Sequence, residues 1–230
     1  MDLATQLSHF GTLDGIAAAL LVIAWVVIGR LTEHPPKGKP SVTMLMIQYR
    51  RDWMRQFVTR QPRIFDATIV DSLRQGTAFF ASATMIAIGG GLALIGNTER
   101  LLGLAQDLSL DAPPSVVWEM KILAALLFVT NAFLNFVWSH RLFGYCSIVM
   151  ASVPNDADDP GALPRALQAA EINISAAKNF NRGLRSVYFA IGTLAWLLGP
   201  VALMVATSVT FYVIWQREFA SHSRRVLMGS

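Results

Sequence analysis

Near its end the chain runs Asn181-Arg-Gly-Leu-Arg-Ser-Val-Tyr-Phe-Ala-Ile-Gly-Thr-Leu-Ala-Trp-Leu-Leu-Gly-Pro200 and then stays apolar to Trp215. No charged residue occurs from Ser186 to Trp215. At ~1.5 Å rise per residue that run exceeds the ~30 Å hydrocarbon core of a bilayer. A membrane-spanning helix is expected over 185–215, with a kink at Gly199 and Pro200 because proline has no N–H to give to the helical ladder. Three more apolar runs follow the same length logic, over 13–30, 70–97 and 117–140. The expected fold is all-α, one polytopic membrane domain over residues 1–230. It has four transmembrane helices and two cytoplasmic helical segments, at 41–60 and 162–181.

Composition supports this. With 230 residues, 53% hydrophobic content and a mean hydropathy of +0.45, the chain is too apolar for an ordinary soluble domain. It is also too short for many spans plus a globular domain. The formal charge of +4 and pI near 9.6 are expected to set orientation and meet anionic headgroups, with no nucleic-acid partner. The single cysteine, Cys146, excludes an internal disulfide and is expected to be a free, buried thiol.

Charge then orients the chain. No basic residue precedes the first run, Asp2 and Asp14 are acidic, and Arg30 follows it, the reverse of a cleavable signal peptide. From Arg30 to Arg74 there are nine Lys or Arg against four acids, and Arg141, Arg165, Lys178, Arg182 and Arg185 follow later. These fourteen oppose five on the other side, namely Arg100, Lys121, Arg217, Arg224 and Arg225. By the positive-inside rule the loops Arg30 to Arg74 and Arg141 to Arg185 are cytoplasmic and both termini external. Thr98 to Pro114, whose charges are mainly acidic, is expected to be an external loop.

Within the first cytoplasmic segment Ser41 can cap a helix in which Val42, Leu45, Met46, Tyr49, Trp53 and Phe57 recur at helical spacing, with Arg51 and Arg55 opposite. Two interpretations stand: a surface helix lying in the headgroups, or a cytoplasmic helix packed on its own bundle. In the second span Ala83, Ala87 and Gly91 form a small-residue row suited to close helix packing, within a protomer or in a homo-oligomer. In the third, Asn131, Asn135 and Trp138 share a face, which suits interhelical hydrogen bonding or a polar path.

The series Arg63-Ile64, Asp66, Phe79-Phe80-Ala81-Ser82, Phe136-Val-Trp138-Ser139-His-Arg141, Gly183-Leu-Arg185, Tyr188-Phe189-Ala190, Leu194, Trp196, Pro200 and Arg217-Glu218-Phe219 resembles the bacterial membrane proteins grouped as domain of unknown function 599. Gly144 and His140 depart from that pattern. The resemblance covers residues 10 to 221. It implies a four-span protein of the bacterial inner membrane with no established activity.

No HExxH, GxSxG, CxxC or P-loop occurs, and the four histidines lack metal-ligand spacing, so neither an enzyme nor a cofactor or metal site is expected. A scaffold, assembly or anionic-lipid-interacting protein is the first expectation. An oligomeric channel or transporter for a small anionic solute is the second. The candidate anion or lipid site is a belt of Arg63, Asp66, Arg74, Arg141, Arg182 and Arg185 at the cytoplasmic ends of the spans. Asp66 is expected to pair with one of these arginines. Arg141 is expected to carry binding, directly below the Asn131 and Asn135 face.

Overall fold

The computed structural model describes residues 10–97 and 114–229; the expected external loop therefore lies almost wholly outside the described residues. The described residues are helical throughout, with no strand among them. In chain order the helices are α1 (Thr12–Glu33), α2 (Val42–Thr59), α3 (Ile64–Ile95), α4 (Ser115–Ala151), α5 (Ala162–Leu194), α6 (Pro200–Phe219) and α7 (His222–Met228). A short 3₁₀ turn, Ala195–Leu198, separates α5 from α6.

Three of these helices, α1, α3 and α4, are long and apolar enough to cross a membrane. They contain the first three expected spans. Their large apolar side chains point outward more often than inward: Ile23, Ile86 and Leu127 are 59%, 76% and 64% exposed. A helix that is apolar all round without being buried needs an apolar solvent. The 37 residues of α4 extend ~55 Å, well beyond a bilayer core, so its far end projects and packs there with the first part of the 33-residue α5.

Two cores follow. In the membrane-level half Ala17, Leu21, Ala24 and Ile28 of α1 meet Phe189, Trp196, Leu203 and Ile214 of α5, the 3₁₀ turn and α6. In the projecting half Met54, Phe57 and Val58 of α2 pack on Phe143, Cys146 and Met150 of α4 and on an alanine face of α5, Ala162, Ala166, Ala169 and Ala170. Cys146 is free and buried. The Ser41 cap forms as expected, its hydroxyl accepting from Met44 N at 3.2 Å while donating to Thr32 O at 2.7 Å. So α2 is packed on its own bundle. Its inward face is rotated from the expected one, with Thr43, Met54 and Phe57 buried and Tyr49 49% exposed, its hydroxyl donating to Leu227 O at 3.4 Å.

The last expected span is not one kinked helix. Gly199 takes φ 120° and ψ 169°, a region essentially reserved for glycine, and Pro200 opens α6 at its first position, where its missing N–H costs nothing. The chain therefore reverses. Trp196 Nε1 donates to Asp14 Oδ1 at 2.6 Å, which fixes the turn beside the start of α1. A Cβ on Gly192 would lie 3.1 Å from Thr210 Oγ1, and Arg217 Nη1 donates to the Tyr188 hydroxyl, so α5 and α6 form an antiparallel hairpin. At its far end Glu218 accepts from Thr43 N and Oγ1, both at 2.9 Å, and Arg224 Nε donates to Pro40 O at 2.8 Å. The C-terminal helix thus lies at the end that carries α2, opposite the start of α1. The expectation placed both termini on one side, whereas the C-terminal helix and the start of α1 lie at opposite ends of the bundle.

The small-residue row also divides. A Cβ on Gly91 would sit 2.4 Å from Leu126 Cδ2, so this glycine serves intramolecular contact with α4, whereas Ala83 and Ala87 face outward. The buried seam of α3 is Val70, Thr77 and Thr84.

Candidate functional site

The six belt residues do not form one site. Arg63 is a structural clamp: Nη1 donates to Val153 O at 2.8 Å, Nη2 to Pro154 O at 2.7 Å and Val58 O at 3.2 Å, and the guanidinium covers the Phe57 ring at 4.6 Å. It ties the ends of α2 and α4 together. Asp66 is wholly buried and pairs outside the expected set, with Oδ1 accepting from Arg60 Nη1 and Trp53 Nε1, both at 2.6 Å. Its Oδ2 has no partner among the described residues. Arg74 Nε meets His140 Nε2 at 3.4 Å. Arg141 is exposed, donates to the Tyr145 hydroxyl at 2.8 Å and lies over the Trp138 and Tyr145 rings. It stands apart from the Asn131 and Asn135 face.

That face joins Arg182 and Arg185 instead. A cleft of about 550 Å³ opens where α1, α4 and α5 meet, lined by Arg30 and Glu33, Asn131 and Asn135, and Arg182, Arg185 and Ser186, with Trp25 and Val26 as its apolar wall. Glu33 anchors it. Arg182 grips that carboxylate with two parallel bonds, Nε to Oε1 at 2.9 Å and Nη2 to Oε2 at 2.6 Å, while Arg185 Nη2 donates to Oε1 from the other side. The Arg185 and Glu33 side chains are 9% and 12% exposed, so this pair is desolvated and costly to break, while Arg182 at 47% is half in solvent.

Helix geometry sets these positions. The site a Cβ would occupy on Gly29 is 4.0 Å from Arg185 Nε, so α1 leaves room for the guanidinium. One helix over, a Cβ on Gly183 would be 2.6 Å from the Phe136 ring, so only glycine lets α5 approach α4 this closely. Phe136 is locked in turn between Phe80 and Phe180, at centroid separations of 5.3 and 5.5 Å. Asn131 Nδ2 then reaches Ser186 Oγ at 2.7 Å, and Asn135 Nδ2 donates to Asn131 O at 2.8 Å.

The charge in the cleft does not balance. Three arginines face one carboxylate, both of whose oxygens are taken, and Arg30 has no partner among the described residues. Such an arrangement can hold an oxyanion, with bidentate donors and neutral amides beside it. Among the described residues no group of His, Cys, Asp or Glu is placed to hold a metal ion.

Glu33, Arg30 and Ser186 were missing from the sequence-based site. The signal was an acid at the exit of one apolar run and two arginines one turn apart at the entry of another. Arg60 was outside that site because it closes the expected 41–60 helix rather than lying on the approach to the second span.

Comparison with curated proteins and with solved structures returned no match. A family model does match, over residues 16–223. The chain belongs to the family described as "Protein of unknown function, DUF599".

Proposed function

We propose that this is an integral membrane protein whose helical scaffold holds an anionic lipid headgroup in the cleft between α1, α4 and α5. The carrying observation is the uncompensated positive charge of Arg30, Arg182 and Arg185 around Glu33, beside the apolar wall of Trp25 and Val26. A lipid offers both parts: a phosphate for the guanidinium groups and an acyl chain for the wall.

Orientation is part of the proposal. With the C-terminal helix on the same side as α2, Arg217, Arg224 and Arg225 join the fourteen basic residues already counted there. The balance by sequence becomes seventeen to two, the two being Lys121 and Arg100. That asymmetry supports α2, the projecting half and the C-terminus in the cytoplasm, the start of α1 outside, and five crossings with the α5–α6 hairpin supplying the last two. In a bacterium the corresponding membrane is the inner one.

The test is native mass spectrometry of the extracted protein. Because the Arg30 guanidinium has no partner among the described residues, Arg30→Gln is expected to leave the thermal transition unchanged and to lose co-purified anionic lipid. Undiminished lipid in that variant would overturn the proposal. An oligomeric channel or transporter for a small anionic solute would use the same cleft, since Asn131 and Asn135 extend its polar lining into α4. Solute flux in proteoliposomes, absent from Arg30→Gln, would favour that alternative.

A further inference from the structure

A second cavity, sharing no lining residue with the first, lies under α2 where it meets α3, α4, α5 and the end of α6. Its volume is about 350 Å³, at the small end of the ~300–1,000 Å³ typical of ligand pockets. Met46, Ile47, Leu73, Phe143 and Phe180 give it apolar walls. Arg50, Lys178 and Glu218 are its charged members.

Arg50 is the anomaly. Unlike its exposed neighbours on α2 it turns inward, and Nη1 donates to Oδ1 of the wholly buried Asn173. Asn173 is itself held by a contact from Nδ2 to Cys146 Sγ at 3.6 Å. The guanidinium is therefore positioned from behind by a neutral amide, and its other N–H groups have no partner among the described residues. Burial pulls Arg50 below its ordinary value, although a guanidinium stays charged. The carboxylate in the cavity, Glu218, accepts from Thr43 N and Oγ1 and forms no ion pair with Arg50 or Lys178, so one negative charge stands against two positive ones. Lys178 also lacks a partner among the described residues. A partly desolvated cation without a paired carboxylate is costly, and a ligand that brings one lowers the cost.

We infer that this cavity binds a small apolar monocarboxylate, with Arg50 recognising the carboxylate and the walls of α2, α3, α4 and α5 taking the apolar body. An inorganic oxyanion would satisfy Arg50 and Lys178 but leave most of the lining dry and unfilled. A neutral amphiphile would fill the walls and leave Arg50 unpaired.

The experiment is isothermal titration calorimetry of the full chain in lipid nanodiscs with hexanoate, hexanol and inorganic phosphate. Hexanoate is expected to bind saturably, hexanol at least ten-fold more weakly, and phosphate is expected not to displace hexanoate at equal concentration. Arg50→Gln is expected to weaken hexanoate at least ten-fold. Should that variant fail to fold, Gly76→Leu carries the test. Gly76 lines the cavity and a Cβ there meets nothing within 4 Å, so leucine is expected to fill the space, abolish hexanoate binding and leave the thermal transition at or above its original temperature. The inference is overturned by absence of saturable hexanoate binding, by equal binding of hexanol, by displacement with phosphate, or by full hexanoate affinity in Gly76→Leu.

Discussion

The two halves of the molecule bury different things. The projecting half closes around fully buried alanines of α5, with Met54, Phe57, Phe143 and Cys146 between them, and apart from Asp66 and Arg50 it carries charges outward, as in the exposed Arg51–Glu171 pair at 2.7 Å. The membrane-level half has a thinner core and turns its large apolar side chains outward, with Phe79 at 70%, Ile86 at 76% and Leu198 at 70% exposure. The chain thus presents two kinds of surface, and α4 and α5 contribute to both halves. The difference teaches where function can reside. Both polar cavities sit at the junction, where a cation finds headgroups or a ligand but no full hydration.

The comparison is broken most severely at Asp66. Asp66→Ala leaves Arg60 and Trp53 Nε1 without their acceptor, and loss of one partner of a buried pair costs about 3–5 kcal/mol. The loss should be confined to the projecting half, seen as faster hydrogen exchange in α2 while α1 and α6 keep their protection.

The same type of substitution should separate the two kinds of surface. Ile86→Lys places a charge where lipid is expected and should cost about 2.5–3.5 kcal/mol in membrane insertion. Leu163→Lys, on the projecting half at 48% exposure, should stay within about 0.5 kcal/mol by thermal unfolding. Similar effects at both positions would mean that both face the same medium.

Gly183→Ala forces a methyl to within 2.6 Å of the Phe136 ring at the junction and should cost about 1–3 kcal/mol, with weaker lipid retention because Arg182 and Arg185 move with α5. The smallest effect is expected for Arg51→Ala. Its guanidinium is 40% exposed opposite a Glu171 side chain at 57%, and such pairs contribute about 0–1 kcal/mol.

Much of this architecture was legible in the sequence because it rests on local rules. The Ser41 cap, the apolar runs that form most of α1, α3 and α4, and the helical segment at 162–181 all follow from spacing and length. The face of α2 differs because hydrophobic spacing groups Tyr49 with the apolar row, whereas a distant amide, Asn173, draws the neighbouring Arg50 inward by giving it an acceptor. Arg141 was placed under Asn131 and Asn135 because it leaves the same helix, but six residues separate it from Asn135. That spacing carries it round the helix to Trp138 and Tyr145. The hairpin at Gly199 was hidden because an uncharged run is silent about reversal. Its thirty residues were nevertheless about ten more than one span needs.

The decisive measurement is the sidedness of three introduced cysteines, in a protein whose own Cys146 is buried. In intact cells an impermeant thiol reagent should label Gly11→Cys, and should label Lys39→Cys and Ser223→Cys only after permeabilisation. Labelling of Lys39→Cys and Ser223→Cys from opposite sides would contradict the reversal at Gly199 and restore a single last span.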